Sequence, residues 1–322
     1  MANVLVTGAA GFIGSHLSER CLAQGHRVRG IDSFTSYYDP EIKRANLTPV
    51  EGDPGWSFLE QDLADCDLAS VLDGIEIVFH LAAQPGVRAS WGQTFGAYVD
   101  SNVTALQRLL EASRRAAIDR FVFASSSSVY GDARRLPADE DTPIKPLSPY
   151  GATKALGEHL CSIYHRSYSL PIVVLRYFTV YGPRQRPDMA FSKLIRAAIT
   201  GEEIVIYGDG HQTRDFTFIS DTVDGTLAAA KSGDPGATYN LGGGSRTSMN
   251  EVLDMIADVT GADLKVRRVA AQLGDARDTA ADSSRARAAI GFVPSRSLYE
   301  GLREQADWHQ TQQQSDIDLH YA

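Results

Sequence analysis

Residues 3–14 read NVLVTGAAGFIG, and the fold follows from how they are parsed. The apolar run Asn3–Thr7 predicts a buried strand, and Phe12–Gln24 carries apolar residues at helical spacing. Between them stands GxxGxxG. Gly8 suits the tight turn out of the strand, and Gly11 lets the backbone approach a pyrophosphate. Gly14 allows the helix to pack closely on the strand. Phe12 and Ile13 open the helix, where free N–H groups and the positive dipole end favour a phosphate. Alone, such glycines mark no more than a tight strand–helix connection. Context raises the reading: a second strand, Arg27–Ile31, ends in Asp32, 18 residues after Gly14. A carboxylate there suits an adenosine ribose 2′-OH and repels a 2′-phosphate, so the pattern predicts NAD rather than NADP.

Outward from this unit the chain alternates strands and helices. Further strands are expected at Trp56–Leu59, Ile75–His80, Arg120–Ala124 and Ile172–Arg176, with helices at Asp65–Leu72, Thr94–Ala116 and Pro149–Ser167. Near-continuous apolar strands separated by helices predict an α/β fold with a doubly wound parallel sheet of Rossmann type. After Tyr181 glycine pairs and triplets punctuate shorter elements, which predicts a smaller C-terminal lobe. The expected division is 1–180 for the NAD-binding domain and 181–309 for a nucleotide-sugar lobe, the chain being free to cross between them. Residues 310–322 are expected to form a loose tail.

Across 322 residues, 43% are hydrophobic, so a sizeable core can be buried. The net charge of −9 speaks against a nucleic-acid partner. No run of about 18 apolar residues predicts a membrane helix. The N-terminus enters a strand directly, without a signal-peptide pattern, so a cytoplasmic location is expected. Cys21, Cys66 and Cys161 are isolated, and neither they nor the histidines show metal-ligand spacing.

A second constellation lies downstream. In SPYGATK, Tyr150 and Lys154 stand four apart at a helix start and so share one face. A nearby ammonium and a positive nicotinamide would both favour the phenolate, making Tyr150 a usable base near neutral pH. The strand Arg120–Ala124 ends in Ser125-Ser126-Ser127-Ser128. In parallel sheets ligands bind at the carboxyl ends of strands, so these hydroxyls are placed to meet a substrate oxygen and the phenol. Asp62 reads two ways, as an adenine-edge contact or as a helix N-cap. Arg88 reads as a substrate contact or as a surface charge, and His80 reads as structural.

GxxGxxG at 8–14, Asp32, HLAAQPGVR at 80–88, SSSSVYG at 125–131 and Tyr150-x-x-x-Lys154 together resemble the extended short-chain dehydrogenase/reductase family. Within it the chain is most similar to nucleotide-sugar epimerases, and among those to UDP-glucuronate 4-epimerases. That closer likeness runs through RYFTVYGP at 176–183, RPDMAFSKLI at 186–195, YGDGHQTRDFTFISD at 207–221, GDARDTAADSSRARAAIGF at 274–292 and LYEGLREQADWH at 298–309. It covers about residues 3–309.

The resemblance implies a bound NAD that takes and returns the C4 hydrogen of a UDP-sugar. Tyr150 removes the 4-OH proton, Lys154 holds the nicotinamide ribose, and Ser126 and Ser127 hydrogen-bond the sugar. A 4-keto sugar turns over in the site before reduction from its other face. The implied cofactor residues also include Lys43, Asp62, Leu63, Leu81, Ala82, Ala83 and Tyr177. The implied substrate residues are Arg88, Ser127, Thr179, Arg186, Met189, Lys193, Tyr207 and Arg214. Arg186, directly before PDM, is expected to recognise the sugar carboxylate, because a planar guanidinium matches a carboxylate at two points. Ser127 and Ser128 stand where dehydratases of the family carry Asp-Glu, so dehydration is not expected. Gln272 stands where galactose epimerases carry an Arg, and Thr179 where they carry an Asn. The helices near 94–116 and 149–167 resemble the family's dimerising pair, which implies a homodimer. Alternatives are a UDP-glucuronate decarboxylase, another UDP-sugar 4-epimerase, and a non-catalytic NAD-sensing protein.

Overall fold

The computed structural model describes residues 1–270 and 276–321, with side chains through residue 313. Its centre is a seven-stranded parallel sheet in the order Thr238–Leu241, Ile172–Tyr177, Arg120–Ser126, Ile77–His80, Asn3–Thr7, Arg27–Asp32, Trp56–Glu60. Alternate side chains of each strand serve opposite faces. In the first strand Val4 and Val6 join the cluster that contains Phe12, Leu17, Ile219 and Val223. Leu5 joins the opposite cluster with Leu106, Leu109 and Cys161. The helices Phe12–Ala23 and Ile219–Ser232 therefore cover one face, and Ala105–Ser113 and Pro149–Tyr168 the other. Burial on both faces explains why the strands are nearly continuous apolar runs.

Because every strand of this sheet is parallel, all carboxyl ends share one edge. The chain winds outward from Asn3–Thr7 to Trp56–Glu60, then returns to Ile77–His80 on the other side of the first strand. This reversal opens a crevice at the carboxyl ends of the central strands.

The expected helix at Asp65–Leu72 shrinks to one turn, Leu68–Val71, capped by Asp67. The expected Thr94–Ala116 helix is divided into Phe95–Val99 and Ala105–Ser113 by a π-helical turn, Asp100–Thr104. Asn102 in that turn is buried and bonds to the Gln84 backbone and to Thr153. The seventh strand, Thr238–Leu241, comes from beyond residue 180 and pairs with Ile172–Tyr177. Around it lie a three-stranded sheet of Arg246–Ser248, Thr213–Phe218 and Thr179–Tyr181, and a pair of Val266–Val269 with Ile204–Tyr207. Residues after Gln310, expected as a tail, continue the helix Leu298–Tyr321. Gln272 lies outside the described residues.

Candidate active site

The glycine turn forms one wall of a cleft of about 210 Å³. Gly8 has φ +70°, and a Cβ there would sit 2.9 Å from the Ala82 backbone. A Cβ on Gly14 would lie 2.0 Å from the Gly8 carbonyl oxygen. Helix and strand thus approach as closely as only glycine permits. Gly11 is the helix N-cap and offers no side-chain acceptor, so the first-turn N–H groups are left to a ligand. Phe12, Ile13, Leu63, Leu81, Ala82, Ala83 and Tyr177 all line the same cleft. A cradle that a Cβ would fill, beside a buried acid, fits a dinucleotide pyrophosphate and ribose.

Asp32 sits at the cleft with its carboxylate accepting from Ala10 N–H at 3.2 Å and Phe34 N–H at 3.0 Å. Burial pushes its carboxyl above the usual range, while Lys43 and these N–H groups pull it back. Lys43 Nζ lies 3.9 Å from Asp32 and donates to the Thr35 carbonyl at 3.0 Å. Asp62 caps no helix, because the helix expected there begins only at Leu68 with Asp67 as its cap. The Asp62 carboxylate accepts from Ala64 N–H at 2.8 Å, and the residue lines the cleft.

Pro149 opens the second key helix, and Ser148 caps it by accepting from Gly151 N–H at 3.1 Å. Tyr150 and Lys154 both reach the cleft. Lys154 Nζ donates to the Ala124 carbonyl at 2.8 Å, and burial brings its ammonium down to about 8. The Tyr150 phenol behaves otherwise than the spacing suggests. Burial raises it above its ordinary value, and the counterweights are a hydrogen bond with Ser126 and the charge of Arg186. His80 is structural, as read. Its Nδ1 is 2.8 Å from Thr7 Oγ1, its ring stacks on Phe123, and burial lowers it to about 3.

A second cavity, about 160 Å³, adjoins the serine cluster and is lined by Ser127, Ser128, Thr179 and Arg214 among others. Arg214 Nη1 donates to the carbonyls of Thr213 and Arg277. Arg88 stacks on Tyr207, its Cζ 4.4 Å from the ring centroid. Met189 caps the helix Ala190–Thr200, Lys193 is exposed on it, and neither lines either of these two cavities. Arg186 lines the first cleft rather than the second. Its Nε and Nη2 donate to the two carboxylate oxygens of Asp188 at 2.9 and 3.0 Å.

Sequence reasoning missed Asp188, and also Tyr37, whose OH donates to Asp188 at 3.2 Å. Asp188 stood in the quoted RPDM; its i+2 relation to Arg186 was the available signal. Tyr37 comes from a loop with no periodicity, 151 residues away from Asp188.

Residues 4–242 match the NAD dependent epimerase/dehydratase family. The chain belongs to that family. NAD is accordingly its cofactor. A UDP-glucuronic acid 4-epimerase from Bacillus cereus, solved with UDP-glucuronic acid and NAD, superposes with a TM-score of 0.94 at 42% identity, over 96% of this chain and 99% of that one. An uncharacterised UDP-glucose epimerase of Bacillus subtilis (strain 168) is 47% identical over 93% of this chain and 95% of its own. A UDP-glucuronate 4-epimerase of Thermodesulfobacterium geofontis (strain OPF15) is 38% identical, covering 96% of each chain. Among the described residues, no helix of this family member is long and apolar enough to cross a membrane.

Proposed function

We infer that this NAD-dependent UDP-sugar 4-epimerase interconverts UDP-glucuronate and UDP-galacturonate. The observation that carries the uronate is a guanidinium inside the catalytic cleft: Arg186 lines it together with Tyr150 and Lys154. A cation there favours a sugar that bears a carboxylate.

NAD, when bound, supplies a reversible acceptor for the hydrogen on the sugar C4. Tyr150 removes the proton of the 4-OH and later returns it, with Ser126 bonded to its phenol. Lys154, fixed on the Ala124 carbonyl, presents its charge to the cleft. Ser127, Ser128 and Thr179 offer hydroxyls to the sugar, and Arg214 its charge to the nucleotide end. Arg88, Met189, Lys193 and Tyr207 complete the proposed substrate set. A 4-keto uronate is a β-keto acid, which loses CO₂ when its carboxylate aligns with the carbonyl π-system. Arg186, in the cleft of Tyr150, is the group proposed to hold it out of that alignment. Ser127 and Ser128 provide no acid–base pair for dehydration.

One observation favours a second reading, a neutral UDP-hexose. Asp188 already occupies the Arg186 fork and offsets its charge. Product analysis on a panel of UDP-hexoses and UDP-hexuronates decides between them. UDP-galacturonate as the main product from UDP-glucuronate supports the proposal. Mostly UDP-pentose, or turnover of neutral hexoses alone, overturns it. The protein is further proposed to be a homodimer through the helix Pro149–Tyr168. Leu156 and Ile163 on it are 44% and 55% exposed, and Phe95 nearby in the sequence-predicted pair is 40% exposed.

A further inference from the structure

Three successive residues at the end of the Arg120–Ser126 strand are each met by one residue of the catalytic helix. The Ala124 carbonyl accepts from Lys154 Nζ at 2.8 Å. The Ser125 hydroxyl donates to Glu158 Oε1. The Ser126 hydroxyl, which accepts from Ser128 N–H at 3.1 Å, lies close enough to Tyr150 to hold the proton affinity of its phenol down against burial. Tyr150, Lys154 and Glu158 are spaced i, i+4 and i+8, so one helix face grips one strand end.

Glu158 does more than meet Ser125. Arg176 lies beside Ser125 in the parallel ladder, and it clasps the same carboxylate. Its Nε is 2.9 Å from Oε1 and its Nη2 is 2.7 Å from Oε2. The partners' side chains are 5% and 8% exposed. Arg176 Nη1 also donates to Tyr130 Oη at 2.8 Å and to the Glu140 carbonyl at 3.0 Å. Tyr130 in turn donates to Asn240 on the seventh strand at 2.6 Å. A charge pair this deep is an expensive way to hold two elements together, and apolar packing would serve stability as well. What a bidentate pair adds is a fixed direction, at the point where the strand hands over to Ser126.

We propose that Glu158 is a positioning residue for catalysis, fixing the Ser125–Ser126 strand end against the helix that carries Tyr150 and Lys154. Glu158 touches neither substrate nor cofactor in this role. Displacement of a catalytic hydroxyl by about 1 Å is enough to cost on the order of 100-fold in rate. Loss of Glu158 should therefore appear in kcat, with KM little changed.

The charge of Glu158 gives a second, separate signature. Lys154 is faced by Tyr150, Glu158 and Cys161 from its own helix and by His80 from the adjacent strand. His80 is neutral at the pH of assay, and burial pushes the Cys161 thiol well up, so it too is neutral. Arg176 and Ser125 face Glu158 from the adjacent strands, and Tyr130 and the Glu140 carbonyl meet Arg176 in turn. Burial lowers the Lys154 proton affinity, while Cys161 and Glu158 raise it, and of these two Glu158 is the anion. Removing that anion leaves Arg176 uncompensated and makes Lys154 lose its proton at lower pH.

The test uses the full-length protein with whichever UDP-sugar the wild type turns over. It thus rests on the UDP-sugar epimerase reading alone, and the wild-type assay reports on that reading separately. In Glu158→Gln, kcat should fall at least about 10-fold with KM within about twofold, and the alkaline limb of the kcat–pH profile should move to lower pH. Ser125→Ala keeps the buried ion pair. It should retain its fold and bound NAD, lower kcat several-fold, and leave the alkaline limb in place. If Glu158→Gln does not fold, Ser125→Ala decides the matter: Ser125 also lines the cleft, so the fall in kcat must come with KM and NAD content unchanged. Wild-type kcat in a folded Ser125→Ala, or a Glu158→Gln variant that loses thermal stability alone with kcat and pH profile unchanged, would overturn the proposal.

Discussion

Arg186, which lines the cleft with Tyr150 and Lys154, and Asp188, two residues on, hold each other side-on through two hydrogen bonds of 2.9 and 3.0 Å. A carboxylate already sits on the fork that a uronate would use. A charge-assisted contact is worth about 1.5–3 kcal/mol. Arg186→Leu should therefore lower kcat/KM on UDP-glucuronate by roughly 10- to 150-fold. Turnover of UDP-glucose should suffer less. Steady-state kinetics on both sugars checks this, and equal losses would assign Arg186 to folding or to the nucleotide instead.

Tyr150→Phe should keep NAD and the fold but lose at least about 100-fold in kcat, the scale of a lost general base. Burial raises the wild-type phenol, so kcat should climb with pH through the neutral range as the base form grows. Lys154, brought down to about 8, should end that climb by losing the charge that supports the phenolate. A flat profile would remove Tyr150 from the proton-transfer step.

Asp32, bonded to Ala10 and Phe34 N–H groups, stands where a ribose 2′-phosphate would meet an anion. Protein as purified should release NAD and not NADP on denaturation. Asp32→Ser should reduce the preference, measured by calorimetry, by roughly 10-fold or more.

At Gly14 a Cβ would collide with the Gly8 carbonyl oxygen at 2.0 Å, and that oxygen belongs to backbone that cannot swing aside. Gly14→Ala should pry the helix from the glycine turn. Retained NAD, quantified after gel filtration, should drop sharply, and a variant holding its full complement would contradict this account of the cradle.

Stability should fall in acid through His80. The ring is 2% exposed, and its proton affinity is lowered from 6.5 to about 3. Between those values the unfolded chain binds the proton and the folded chain does not. The contribution is therefore complete above pH 6.5 and declines as the pH falls toward 3, by about 1.4 kcal/mol per unit. Asp215, raised to about 6 by burial, works in the opposite direction below that pH. Urea unfolding of wild type and His80→Gln at pH 6.5 and 4.5 should show the shallower decline in the variant.

The glycine turn, the strand–helix alternation and the terminal Asp32 were legible because each is a local pattern, repeated at the period its backbone requires. The Tyr150–Lys154 pair was legible for the same reason, since four residues on a helix make one face. The break of the Thr94–Ala116 helix into a π turn was not, because Asn102 takes its partners from Gln84 and Thr153. Nor was the Arg186 fork. Its expected ligand came from likeness to other chains, whereas the structure fills it with Asp188 and adds Tyr37 from 151 residues away. The sequence by itself thus determined the strand–helix alternation that makes the parallel sheet, the glycine turn, and the shared helix face of Tyr150 and Lys154, each of which depends on short-range spacing. The tertiary structure alone decided what surrounds them: which charges face Tyr150, what occupies Arg186, and how Glu158 and Arg176 clasp the strand end. These depend on burial and on contacts between distant segments, and short-range spacing carries no record of either.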